Sequence, residues 1–214
     1  MPFEGWVWPL PALDGRRPSI SDGFGYDKRG GRGHLGVDVM FWSDVEMTPN
    51  PPENSRRFFV PRGHPVIAAG PATVWAVYRG TRGWQIKLDH GRVIGDAGPW
   101  VSFYSHLETV NAGIKKGAQI PAGALLGTVG DDPSNTGDPR HLHFEMWRTD
   151  RGGARREWAV DPRAYLEGFQ VVNGSGRLPA KSDITRALIA RDAPSGETGA
   201  VVADLVDAKP GTFS

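Results

Sequence analysis

The sequence predicts an all-β body, mostly antiparallel, with a short irregular or helical C-terminal appendage. Two observations carry this. The 29 glycines and 18 prolines are spread along the chain, which breaks helices and favours short strands joined by turns. Between them stand segments rich in Val, Ile, Trp, Tyr and Phe: VIAAG, ATVWAVYR, GWQIKLDHG, WVSFYSHL, ALLGTVG and HLHFEMW. In GWQIKLDHG, Trp84, Ile86 and Leu88 alternate with Gln85, Lys87 and Asp89, as in a strand buried on one face. No long 3.6-residue period interrupts the pattern before residue 160.

In chain order, the β body is expected from about Gly15 to Phe169, within a first domain of residues 1–169. WSDVEMTPNPPENSRR, residues 42–57, is polar and proline-rich and reads as a long surface loop. VDPRAYL, residues 160–166, closes the body. Residues 170–214 form an extension with few large apolar side chains, among them Leu178, Ile184, Leu188, Ile189, Leu205 and Val206. These are too few for an independent core. Within it SDITRALIARDA, residues 182–193, reads as a short helix capped by Ser182, and the extension as a whole reads as a docking tail.

Composition excludes several functions. Hydrophobic residues make up 39% of the 214, enough for a folded core. A net charge of +1, with no basic run, leaves no electrostatic footprint for nucleic acid. With no cysteine, disulfides, iron–sulfur clusters and thiol nucleophiles are ruled out, and any metal must be held by His, Asp or Glu. No stretch approaches the roughly 18–20 apolar residues of a membrane span. The start, MPFEGWVWPLPALDGRRP, lacks a signal-peptide layout, because prolines break its apolar run and Glu4 precedes it.

The histidines fall at 34, 64, 90, 106, 141 and 143. Residues 140–147 read RHLHFEMW. As a strand, this puts His141, His143, Glu145 and Trp147 on one face and Leu142, Phe144 and Met146 on a core face. Two imidazoles and a carboxylate are an odd cargo for a strand central to the core, unless something binds there. Chance gives about 0.2 H-x-H pairs and about half an H-x-x-x-D in such a chain, so neither spacing decides alone. In GRGHLGVDVMF, His34 and Asp38 share a face of a helix or a strand, and the glycines with Val37 and Val39 favour the extended form. The ordinary reading is a turn histidine and an exposed aspartate. His106 in FYSHLE reads as a surface histidine near a strand end, and His64 in PRGHP and His90 in DHGR as turn residues. A catalytic zinc site needs three protein ligands and an open position. The chain can supply two His and an Asp, with histidines to spare for proton transfer, whereas H-E-x-x-H is absent.

The order of motifs is distinctive. SDGFGYDKRGGRGHLGVDV is followed by PVIAAGPATVWAV, FYSHL, KKGAQIPAGALLGTVGDD, TGDPRHLHFEM and VDPRAYL. This series resembles the M23 family of zinc peptidases, the lysostaphin and LytM type, over roughly residues 20–168. The resemblance implies a mostly antiparallel β fold with a groove, and hydrolysis of peptide bonds in the cross-links or stem peptides of bacterial peptidoglycan. It places a zinc ion (Zn2+) on His34, Asp38 and His143, and gives His106 and His141 to proton transfer. Glu145 is expected to orient a ligand from behind. Arg140 stands where the family often has proline, the loop at 42–57 is long for it, and the tail after 168 has no counterpart.

Zinc would acidify a water molecule and polarise the scissile carbonyl. One of His106 and His141 would accept the water proton and return it to the leaving amine. The alternative is a non-catalytic structural or activator module in a phage-like or cell-wall assembly, against which the complete set of five residues argues. A wall-acting chain without an export signal is expected to be virion-associated or released by lysis, with residues 170–214 docking it to a phage or phage-like assembly.

Overall fold

The computed structural model describes residues 2–25, 33–42, 58–96, 98–134 and 138–173. The chain forms one antiparallel sheet system from β1 (Pro18–Asp22), β2 (Val37–Trp42), β3 (Phe58–Phe59), β4 (Pro65–Ile67), β5 (Ala72–Gly80), β6 (Gly83–Arg92), β7 (Pro99–Val110), β8 (Gln119–Ile120), β9 (Leu125–Val129), β10 (Leu142–Arg148) and β11 (Ala159–Val160). The main order is β1-β2-β10-β7-β6-β5-β8, with β3 on β2, β11 on β10, and β9 joining β4 to β7. The expected all-β, mostly antiparallel fold is what forms. VIAAG keeps strand pairing only to Ile67, and WVSFYSHL extends over all of β7.

β10 lies between β2 and β7, so it is buried on both faces. Leu142, Phe144 and Met146 enter the main core with Val37, Val39, Tyr104, Ile86 and Leu88. Trp147 packs on the other face with Val101, Phe103 and Ala159. Two one-turn helices, α1 (Arg155–Trp158) and α2 (Arg163–Leu166), fall where the sequence suggests none. A single turn is too short to show a period. α1 is closed by Glu157, whose carboxylate accepts the Ala154 N–H at 2.9 Å.

Two expectations need correction. The body begins well before Gly15. Phe3 packs edge-on against Trp6, Trp100 and Tyr165 at ring separations of 4.8, 5.1 and 5.2 Å. Trp6 lies so close to Gly70 that a Cβ there would meet its indole at 2.4 Å. The body also runs past Phe169. Gln170 donates its N–H to the Trp6 carbonyl and accepts from Trp8, both at 2.9 Å, while Ala12 donates to Val172 at 2.7 Å. The two ends of the domain are thus stitched together beneath the sheet. The remainder of the loop at 42–57 beyond Trp42, the helix at 182–193 and the tail from 174 lie outside the described residues.

His64 closes the expected turn, its N–H on the Pro61 carbonyl at 3.2 Å, whereas His90 lies within β6 rather than in a turn. Both are buried, at 6% and 4% exposure. The His64 ring donates to the Pro11 carbonyl at 3.0 Å. His90 spans the Pro71 carbonyl at 2.9 Å and the Ser102 hydroxyl at 2.7 Å. Ser102 in turn lies 3.1 Å from the Tyr104 hydroxyl, which accepts the Ala69 N–H at 2.8 Å.

Two stability outcomes follow. His90→Ala leaves buried partners unpaired and should cost about 2 kcal/mol or more in denaturant unfolding. A silent substitution would mean that this network carries no weight. A chain ending at Phe169 should be less stable than one ending at Asn173 by about 3 kcal/mol, roughly 1 for each of the lost backbone bonds. Equal unfolding midpoints would refute that stitching.

Candidate metal and catalytic site

The pairing registers build the site. Asp38 on β2 stands directly opposite His143 on β10, and His143 stands opposite Ser105 on β7. His34 comes in from the turn before β2. That turn can lie flat on β10 only because residue 36 is glycine, where a Cβ would meet the Phe144 carbonyl oxygen at 2.2 Å. His34 Nε2, Asp38 Oδ1 and His143 Nδ1 then form a tight triangle with sides of 3.1, 3.1 and 2.9 Å. Among the described residues, these are the group of His and acidic side chains close enough together to share one metal ion.

His141 and His106 border the triangle. His141 Nε2 lies 3.6 Å from Asp38 Oδ1. The His106 ring packs against His141 at 4.6 Å and stands 6.0 Å from His143. Strict alternation along β7 would send His106 into the core beside Tyr104. Its left-handed backbone, φ +66°, breaks the alternation and turns the ring to the site.

Tutoring of these rings by their outer partners is consistent. His34 Nδ1 donates to the Gly23 carbonyl at 3.0 Å, and His141 Nδ1 to the Pro139 carbonyl at 2.7 Å. His143 Nε2 donates to Glu145 Oε1 at 2.6 Å. A carbonyl or carboxylate can only accept, so each ring spends its proton outward. In their neutral forms, His34, His141 and His143 therefore direct lone pairs inward, where Asp38 adds a carboxylate oxygen. Acceptors converge without a donor, which is the arrangement a cation satisfies.

Glu145 supports this from behind. It is completely buried, and Trp147 Nε1 donates to its second oxygen at 2.7 Å. Arg155 grips both carboxylate oxygens. Burial would raise the Glu145 pKa, but the hydrogen bonds from His143 and Arg155 bring it down to about 2, so it stays ionised. Burial likewise opposes charge on Asp38, yet the surrounding imidazoles of His141, His143 and His34 hold its carboxyl well below the usual carboxylate range. Burial lowers the His143 pKa less than Asp38 and Glu145 raise it, to about 9. Burial and the neighbouring His141 and His143 push His106 far down, leaving it neutral.

The structure thus brings His34, Asp38, His106, His141, His143 and Glu145 together. Sequence reasoning missed Arg155, which no spacing rule connects to Glu145. It also missed Asp132, whose Oδ2 lies 3.6 Å from the otherwise unpartnered, buried His106 Nδ1. Arg140, the departure noted before His141, pairs with Asp131 at 2.6 Å.

Known proteins show the same arrangement of the chain. The L-Ala–D-Glu endopeptidase of Bacillus subtilis (strain 168) is 32% identical over 93 residues, a match spanning 41% of this chain and 26% of that protein. The solution structure of lysostaphin aligns at 22% identity and a TM-score of 0.51, covering 79% of this chain and 60% of that one. The SpoIIQ–SpoIIIAH pore-forming complex aligns at 15% identity and a TM-score of 0.50, covering 90% and 99%. The last two are likenesses of fold. The sequence pattern of Peptidase family M23 matches residues 52–162, which include His106, His141 and His143. With more than half of its length matched, the chain belongs to peptidase family M23.

Proposed function

We propose that the chain is a zinc-dependent endopeptidase that hydrolyses peptide bonds in the cross-links or stem peptides of bacterial peptidoglycan. His34, Asp38 and His143 hold the metal, and His106 and His141 move protons. The observation that carries the reading is the inward convergence of imidazole lone pairs on the Asp38 carboxylate. Two nitrogens and one oxygen on one side of a point suit zinc, and no sulfur is needed. The L-Ala–D-Glu endopeptidase relative supports a peptide substrate containing such residues.

Bound zinc would supply Lewis acidity, acidifying a water molecule and polarising a peptide carbonyl. The remaining work falls to the chain. His106 and His141, packed edge to face beside the ligand triangle, accept the proton of the attacking water and return it to the departing amine. Asp132 is the nearest acceptor for the outer nitrogen of His106. Glu145 fixes the tautomer of His143 so that Nδ1 faces the ion. A non-catalytic module would have no use for this arrangement. Carriage to the wall on a phage or phage-like assembly, as a virion component, is a further proposal from the sequence of residues 170–214 alone.

Metal analysis combined with incubation on purified sacculi and mass spectrometry of the fragments tests the whole reading. His34→Ala, Asp38→Ala and His143→Ala should each lose most of the zinc. His106→Ala and His141→Ala should keep zinc but lose roughly 10²–10⁴-fold in turnover. Full zinc retention in Asp38→Ala would sink the ligand assignment.

The metal-free His143 also gives a pH dependence. Its pKa is raised to about 9, so at pH 7 the bare site holds a proton that zinc must expel. Apparent zinc affinity should therefore rise with pH by about tenfold per unit below 9 and level off above it. Calorimetry in buffers of different ionisation enthalpy should count about one proton released at pH 7. Zero release would contradict the role of Nδ1 as a ligand.

A further inference from the structure

The sheet face that carries His143 and Glu145 continues beyond β10. Phe103 on β7 stands opposite Glu145 on one side and opposite Lys87 of β6 on the other. Lys87 therefore lies in the same row as Glu145, two strands away. Its side chain rises on the same face, because Nζ sits 5.3 Å from the centre of the Trp147 ring. It is walled further by Trp75 at 5.3 Å and Tyr78 at 5.5 Å. Trp75 reaches this face through a β-bulge, where the β5–β6 register shifts between Val74 and Ala76. Trp75 and Tyr78 are 40% and 38% exposed, so the walls open to solvent.

Among the described residues no carboxylate pairs directly with this ammonium; Glu145 acts on it only at a distance. Among the described residues Lys87 makes contacts with rings but neither a hydrogen bond nor an ion pair. The adjacent cation, Arg155, is already committed to Glu145. Aromatic faces attract and hold an ammonium, yet they leave its N–H donors unused. Burial among the rings and the nearby Arg155 lower the Lys87 pKa from the ordinary lysine value, and the Glu145 carboxylate offsets this only in part.

We propose that Lys87, walled by Trp75 and Tyr78, is a subsite for a carboxylate of the substrate peptide, an inference that rests on the peptidase reading of the neighbouring site. Two strand spacings of about 4.8 Å put Lys87 roughly 10 Å from β10. An extended peptide covers that distance in about three residues. A chain cleaved beside His143 thus lays an acidic residue a few positions away onto Lys87, with its aliphatic carbons against the two rings. The subsite selects acidic stem peptides over amidated ones.

The probe is a synthetic tetrapeptide containing L-Ala–D-Glu, prepared with its carboxylates free or amidated. Binding to the full-length, zinc-loaded protein is read by tryptophan fluorescence and calorimetry, and hydrolysis separately by mass spectrometry. Wild type should bind the free acid roughly tenfold more tightly than the amide, a charge-assisted contact's worth. Lys87→Met should abolish that preference while leaving amide binding unchanged, and Lys87→Arg should restore it. Equal wild-type affinity for acid and amide, or an undiminished preference in Lys87→Met, overturns the subsite. Binding with the predicted preference but without hydrolysis would support the subsite while counting against the peptidase reading, so the two failures are distinguishable.

Discussion

The structure depends on holding a charged pair, Glu145 and Arg155, against the centre of a β-sheet. Glu145 has no solvent exposure, and a buried carboxylate without partners would be neutralised or would destabilise the fold. It is instead fully used by His143, Trp147 and Arg155. Two of these partners come from its own strand, two residues to either side, so the alternation of β10 sets both contacts. The third comes from α1, the single turn that folds back along β10. That one carboxylate orients His143, anchors the turn, and fixes the Trp147 indole that floors the neighbouring face.

Register is what makes this reliable. A slip of one residue in β10 would carry His143 and Glu145 into the core and expose Leu142, Phe144 and Met146. The core contacts of those three residues with Val39, Val37 and Tyr104 therefore position the polar face as firmly as its own hydrogen bonds do. Asp38 inherits its place from the same pairing, directly across from His143. His34, His106 and His141 are set by local devices instead: a glycine pressed against β10, a left-handed residue in β7, and the residue just before β10 begins.

This division explains what was legible in the sequence. Period-two alternation announced β6 and β10, and it assigned His143, Glu145 and Trp147 to one face before any coordinates. Motif order supplied His34, Asp38 and His106, which spacing alone could not. His90 reads as a turn residue because Gly91 follows it, and the burial of both His90 and His64 has no local signal. Their burial comes from packing against the N-terminal strap, with His90 4.4 Å from the Trp6 ring and His64 on the Pro11 carbonyl. Such contacts span most of the strap-to-sheet distance in sequence and leave no local period. The same holds for Arg155 on Glu145 and Asp132 beside His106, where one charged side chain in a loop looks like any other.

The arrangement separates two demands that conflict in one small site. On the proposed reading metal ligands need fixed positions, and Asp38 and His143 occupy paired strands. On the same reading proton carriers must face substrate, and His106 and His141 sit where strand regularity breaks down. The backbone strain of a non-glycine residue at positive φ, on the order of 1–3 kcal/mol, is tolerated at His106 because the surrounding pairing over-determines it. β7 continues on both sides of His106, with Tyr104 locked in the core and Leu107 paired to β9. A sheet that is rigid on either side can thus present one irregular residue to the site without losing its register. Regular pairing sets Asp38 and His143, and local exceptions set His34, His106 and His141.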